Sequence, residues 1–429
     1  MKKRNVLALL FVLVFLFSSF GASAAEPTGG TKNLTSTLKI VPESGRDMNA
    51  AEAKKLTSAS IKLLNNTIKY DKKDANVLIS PTSIMFAFGL AENAARGRTK
   101  KQMEDIINGG LKTADNNQVL CKLMRDMESD ENVEWNVANS VWLKDSNDVK
   151  VKDSYLRTVG AYYDADIFKA PFDPSTVEDI NGWVNTNTNQ MIPKIIEELD
   201  KSAVACLINA IAFEASWQEP FNDYQIVKDA DFINSDKSIS KVNMLCGKES
   251  GYFNLNGANG FKKLYKGGDY AFVGIEMPEG TSTADYISKL SKNPSSFNKA
   301  LSNMKYDKDV RIKMPEYQLD YDIEMSDMLK KAGITDAFDK NRADLYNMFV
   351  RDPGSNYYFD KVIHKTHIEV DKNGTKAAAA TAIIMIKATS VQPIKEPLDI
   401  NLDHAFVYAI IDTKNNTPVF IGCVNSLQK

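Results

Sequence analysis

The chain has 429 residues, 43% of them hydrophobic and 25% charged, with 53 basic and 55 acidic side chains giving a net charge of -2. That length and composition suit one large globular domain or about two to three ordinary ones. The two charge signs are well mixed, which excludes a basic nucleic-acid-binding face.

Residues 1–24 stand apart. Lys2, Lys3 and Arg4 precede an apolar run from Val6 to Phe17, and Ala22, Ser23 and Ala24 offer small residues for cleavage before Ala25. This is a signal-peptide layout whose apolar core is too short to span a bilayer comfortably. A secreted, extracellular protein that leaves the membrane after signal cleavage is expected. Residues 25–46, rich in Gly, Thr, Ser and Pro, read as a flexible spacer.

Helical periodicity begins at residues 51–70, through Leu56, Ile61, Leu64 and Ile68. A second helix over 83–95 follows the start signal Ser80-Pro81. A third opens at Thr99 and closes at Gly109-Gly110, and a fourth covers 117–127. Residues 134–143 alternate as a strand, helices return over 154–163 and 177–187, and residues 203–217 form a strand apolar on both faces. Strands then dominate at 270–277, 311–317, 362–370, 406–411 and 419–424, with a helix over 323–332 among them. Helices first and strands later, without strict alternation, predict a single α+β domain over 47–429.

Enzyme chemistry is hard to find. The three histidines are His364, His367 and His404, and no nucleophile elbow, H-E-x-x-H or phosphate-binding loop occurs. His364 and His367 are three apart in a strand pattern and so point to opposite faces, which does not suit one metal ion. Glu369, Asp371, Asn373 and Gly374 resemble the start of a calcium loop, but Ala380 stands where a bidentate glutamate is needed. Cys121 lies in a helical pattern, Cys206 and Cys423 in apolar strand-like runs, and Cys246 in a turn-rich stretch. Buried free thiols are expected for all four. No catalytic residue, metal or cofactor is implied.

One segment fits neither structure by propensity alone. Asn373, Gly374 and Thr375 lead into Lys376 and four alanines, Ala377 to Ala380, then Thr381, Ile383, Ile384 and Ile386. Alanine favours helices and isoleucine strands. The segment resembles the reactive-loop hinge of the serpins, and other motifs of that family stand in the same order. "NVLISPTSI" (76–84), "GRTKKQM" (97–103), "VEWNVANSVWL" (133–143), "INGWVNTNTNQMI" (180–192), "LINAIAFEASWQEPF" (207–221), "LDHAFVYAI" (402–410) and "PVFIGCV" (418–424) are each similar to a family signature.

The resemblance implies an inhibitory, secreted, bacterial serpin, with about three β-sheets, eight or nine helices and an exposed reactive loop over about 372–397. It implies a suicide inhibitor: a target serine protease cuts the loop, is held as an acyl-enzyme, and is carried along as the loop's N-terminal part becomes a new central strand. An inserting strand needs small side chains and no proline. Ala377, Ala379 and Thr381 share the face set by Thr375, and Ala378 and Ala380 are also small. About fifteen new backbone pairs would contribute on the order of 10–20 kcal/mol, so the uncut form is kinetically trapped.

Carried over by position, Ser80, Ser83, Asn209 and His364 form a polar cluster (the shutter) beneath the point where the sheet opens, and Trp217 marks its upper end (the breach). Counting from Gly374 places the reactive bond at Ala388-Thr389, which suits elastase-like or subtilisin-like proteases. Lys387-Ala388 is the alternative and would suit trypsin-like ones. A monomer is expected. Lys372 and Lys376 stand where the family often has acidic residues, Ala405 replaces a usual proline, and Asn425-Ser426 lacks another. A non-inhibitory carrier, storage or chaperone-like member is the competing reading. Such members have bulky or charged hinges, whereas only Lys376 is charged here.

Overall fold

The computed structural model describes residues 30–427 apart from 73, 129, 131, 148, 200–202, 351–356, 360 and 376–394. The signal-peptide reading of residues 1–24 therefore lies outside the described residues.

Strand β1 (Lys32–Asn33) precedes helix α1 (Ala50–Tyr70). A capping box starts α1: the Asn49 side chain accepts from the Ala51 and Glu52 amides, and Glu52 accepts from the Asn49 amide. Strand β2 (Val77–Ile79) runs into α2 (Pro81–Ala94), capped by Ser80 with Pro81 in its first turn. Helices α3 (Gly97–Ile106) and α4 (Thr113–Glu128) follow, then β3 (Val133–Lys144), α5 (Asp153–Tyr163), β4 (Asp166–Ala170) and α6 (Pro174–Asn187). After β5 (Ala205–Ser216) come four more strands in succession, β6 (Ile226–Ile233), β7 (Ile239–Glu249), β8 (Tyr252–Leu255) and β9 (Ala258–Leu264), and then β10 (Tyr270–Glu276). Helices α7 (Thr283–Leu290) and α8 (Ser295–Ser302) lead to β11 (Asp309–Pro315), β12 (Tyr317–Glu324) and α9 (Ser326–Ala332). The chain continues through β13 (Ile363–Val370), β14 (Gly374–Thr375), β15 (Pro397–Asn401), β16 (Phe406–Asp412) and β17 (Thr417–Val424).

Among the described residues the strands form three sheets. The largest has the order β1-β4-β3-β5-β14-β13-β12, the second β2-β17-β16-β10-β9-β8, and the third β15-β11-β7-β6. Strand β5 pairs antiparallel with β3 from Val133↔Ala215 to Leu143↔Ala205, a long ladder that makes it central. Helix α2 packs against both β5 and β17, joining the two larger sheets through one apolar core. The expected α+β architecture with three sheets is present.

Four details differ from the sequence reading. The stretch 30–46, expected to be a flexible spacer, lies against the body. Lys32 and Asn33 pair with Lys169 and Phe168, and the Arg46 guanidinium reaches Glu52 at 2.8 Å and Asp115 at 2.9 Å. Leu34 and Leu38 also pack on the core, too few apolar residues to mark a period in the sequence. The helix expected over 323–332 begins at Ser326. Ile323 belongs to β12, whose residues alternate strictly between buried and exposed. Cys246 is in strand β7 and not in a turn, and it is half-buried like Cys206, whereas Cys121 and Cys423 are buried; all four are free. Strands β6 to β9 had no counterpart in the reading, because long stretches of β6 and β7 face solvent with polar side chains on both faces.

Candidate functional site

The site is built where β14 meets the upper end of β5. Gly374 pairs with Ser216, Thr375 with Ala215, and Thr375 with Val370 on the other side, so two residues stand as a strand between β5 and β13. Among the described residues no ladder joins β5 to β13 directly. The approach is close enough that a Cβ on Gly374 would stand 2.0 Å from the Ala215 carbonyl oxygen, so only glycine fits there.

The chain just before β14 is clamped by β5's continuation. The Trp217 amide donates to the Asn373 carbonyl at 2.7 Å, and the Phe221 amide to the Lys372 carbonyl at 2.9 Å. The Trp217 indole Nε1 donates to the Asp371 carbonyl at 2.9 Å. The indole stacks on Tyr265 with centroids 4.5 Å apart, and the Tyr265 hydroxyl meets Thr375 Oγ1 at 2.6 Å. Trp217, Tyr265 and Thr375 are all buried. A turn precedes this: Asp371 Oδ1 accepts from the Asn373 amide at 2.7 Å and the Gly374 amide at 2.9 Å.

Charge surrounds this core. The Lys263 Nζ is buried over the Phe221 ring at 4.4 Å and the Trp217 ring at 5.5 Å, and it donates to the Glu219 carbonyl. Its partner Glu249 lies 3.4 Å away, with burial pushing that carboxyl up to about 7. Lys372, where the family often has an acid, reaches Asp223 at 2.6 Å and holds that carboxyl below its usual range. Both side chains are largely exposed, so the pair is a weak tie.

A second cluster lies lower in the same sheet. The Ser80 amide donates to His364 Nε2 at 3.1 Å, Ser80 Oγ donates to the Val419 carbonyl at 2.9 Å, and the Ser83 amide donates to Ser80 Oγ at 3.1 Å. Ser83 Oγ donates to Asn209 Oδ1, and Asn209 Nδ2 donates to Asn139 Oδ1 at 2.8 Å. Ser80, Ser83, Asn209 and His364 thus fall into one network running from β13 through α2 to β5. His364 reaches β5 through hydrogen bonds of Ser80 and Ser83. Burial holds the His364 imidazole down, to about 4.

His364 and His367 point to opposite faces of β13, with His367 on Asp320 at 2.7 Å. Among the described residues no group of three or more His, Cys, Asp or Glu is arranged to hold a metal ion, and no helix is long and apolar enough to cross a membrane.

A profile of the serpin family (serine protease inhibitor) matches residues 54–427. The chain belongs to the serpin family. Iripin-8 of Ixodes ricinus is 30% identical over 382 residues, covering 86% of this chain and 91% of that protein. Neuroserpin of Gallus gallus is 27% identical over 84% of this chain and 88% of its own. The native state of tengpin, a thermophilic serpin, superposes with a TM-score of 0.83 at 35% identity, covering 92% of this chain and 100% of that one.

Gly374 and Thr375, the lower cluster and Trp217 therefore lie in a serpin fold. Ala377, Ala378, Ala379, Ala380 and Thr381 lie outside the described residues, as do Lys387, Ala388 and Thr389. Sequence reasoning missed Tyr265, Asn139 and Lys263. Asn139 sits in the quoted "VEWNVANSVWL" motif, next to Ala138. Nothing in the local pattern around Tyr265 or Lys263 distinguishes them from ordinary strand residues.

Proposed function

We propose that this protein is an irreversible suicide inhibitor of serine proteases. It acts by loop cleavage, trapping of the acyl-enzyme, and insertion of the cut loop into the central sheet. The observation that supports this most strongly is the seat of Gly374 and Thr375 between β5 and β13, laddered on both sides with Thr375 buried. A strand begun between two others is lengthened by the residues that follow it in the chain. Those residues are Lys376, Ala377, Ala378, Ala379, Ala380 and Thr381, small apart from the lysine and without proline.

The lower cluster supports the same reading. Its hydrogen bonds tie β13 to β5 through side chains on α2, so separating the two strands exchanges a defined set of partners without leaving an unfolded core. The reactive bond is Ala388-Thr389, with Lys387-Ala388 as the alternative. A small residue before the bond fits the narrow specificity pocket of elastase-like and subtilisin-like proteases. The catalytic serine is the target's, and this chain turns nothing over. Residues 1–24 direct export, and the mature protein acts outside the cell as a monomer.

Incubation with subtilisin at equal concentration, read on a denaturing gel, tests the reading. A band at the summed mass of inhibitor and protease is expected. Cleavage without that band contradicts inhibition and favours a non-inhibitory member.

A further inference from the structure

We propose that Asn373 is a self-modifying site: its side-chain amide is lost by intramolecular deamidation, with Asp371 as the proton-transfer group. Five Asn-Gly pairs occur in the chain, at Asn108, Asn181, Asn256, Asn259 and Asn373. A glycine after asparagine leaves the next backbone nitrogen unshielded, so it can approach the asparagine Cγ. At Asn373 the glycine cannot be replaced by a shielding residue, because β5 approaches Gly374 too closely for any Cβ.

The carboxylate of Asp371 holds both nitrogens of the reaction. Its Oδ1 accepts from the Gly374 amide at 2.9 Å, and its Oδ2 accepts from Asn373 Nδ2 at 3.1 Å. These are the distances required of a general base on the attacking nitrogen and a general acid on the leaving one. The Gly374 nitrogen gives its proton to Asp371 and its electron pair to Asn373 Cγ, closing a five-membered imide. The Cγ–Nδ2 bond breaks, Nδ2 takes a proton from the Asp371 carboxyl, and ammonia leaves with the carboxylate restored. Water then opens the imide to aspartate or isoaspartate. Asn373 and Asp371 are only half-buried, so water reaches them.

The other pairs are arranged differently: the Asn259 side-chain oxygen accepts from Asn254 Nδ2 at 2.6 Å. Asn181 turns its side-chain oxygen to the Ile195 and Ile196 amides, and Glu92 holds Asn108 through Nδ2. Asn256 occupies the tight hairpin between β8 and β9 and provides the natural comparison.

The consequence rests on the inhibitor reading. Aspartate at 373 sets a second carboxylate against Asp371. Isoaspartate runs the main chain through Cβ and Cγ of residue 373, adding one carbon before the Gly374↔Ser216 pair, and turns the α-carbonyl that accepts from Trp217 into a free carboxylate, so the two anchors lose their present spacing. Aged protein is then cut without trapping.

The test is peptide mapping by mass spectrometry of the full chain held at neutral pH, which needs no protease target. Asn373 is expected to gain about one mass unit, as aspartate and isoaspartate, ahead of Asn256 and faster than the same sequence in a free peptide. Asp371→Asn is expected to slow Asn373 by about tenfold or more, with Asn256 unaffected. Asn373 lagging behind Asn256, or keeping its rate in Asp371→Asn, overturns the proposal. If the mass change occurs as expected while fresh protein forms no covalent complex with subtilisin, the modification stands and the inhibitor reading falls.

Discussion

The Tyr265 hydroxyl and Thr375 Oγ1 meet at 2.6 Å inside the protein, between two buried residues. The contact fixes the last residue of β14 to an aromatic ring that is itself stacked on Trp217. One buried hydrogen bond therefore ties β14 to the aromatic pair beside the upper end of β5.

Tyr265→Phe removes that bond and leaves Thr375 Oγ1 without this partner. A buried hydroxyl so treated costs about 1–3 kcal/mol. The denaturant midpoint of the intact protein is expected to fall. Adding Thr375→Val to Tyr265→Phe should cost less than the two single changes together. Full additivity by chemical unfolding contradicts the coupling.

Thr375→Arg sets a long charge where 2% of the threonine is exposed. Burying an unpaired guanidinium is costly enough to keep the hinge out of the sheet. The variant is expected to be cut by subtilisin but to lose the covalent complex, with the stoichiometry of inhibition rising steeply. A retained complex at equal stoichiometry contradicts the buried role of this face.

His364 supplies a pH dependence. Its Nε2 accepts from the Ser80 amide, so the ring is neutral with its proton on Nδ1, and burial lowers its pKa from 6.5 to about 4. The unfolded chain binds this proton first as pH falls. The stabilising contribution is complete above about 6.5 and is lost as pH drops toward about 4, on the order of 3 kcal/mol in all. The stability gap between wild type and His364→Gln should shrink across that window. A gap independent of pH contradicts the assignment.

Glu92 works in the opposite direction. It is fully buried in α2, held by Asn108 Nδ2 at 2.7 Å and Thr113 Oγ1 at 3.2 Å, and burial raises its pKa to about 8. Its contribution is complete below about 4.5 and is lost as pH rises through about 8. Glu92→Gln, which never ionises, is expected to gain stability over wild type progressively between those values. Thermal unfolding curves that stay parallel across the range contradict it.

Most of the fold was legible because its central elements follow simple periods. Helix α1 repeats at three- and four-residue spacing, and β5 reads as buried because apolar side chains lie on both faces. Strands β6 and β7 were not legible: Val227, Ile233 and Ile239 are exposed while Lys228, Asp229 and Asp231 interrupt any alternation. Ile323 misled because an apolar residue just before a helix looks like its first turn, whereas it ends the alternation of Tyr317, Leu319 and Tyr321. At the site, Gly374 and Thr375 were readable through the family resemblance, to which the small-residue run without proline adds that the segment suits an inserting strand. Trp217 was readable only through the family resemblance. Tyr265 was not readable at all, since its role comes from a stacking partner 48 positions earlier and a hydroxyl partner 110 positions later.

The central claim is that the segment after Thr375 completes the sheet once the loop is cut. Thermal unfolding of the intact protein against the same protein nicked within the loop by a catalytic amount of subtilisin measures this directly. New ladder bonds on both sides of an inserted strand should raise the unfolding temperature of the nicked form well above that of the intact form. An equal or lower unfolding temperature after nicking would contradict insertion, and with it the suicide mechanism.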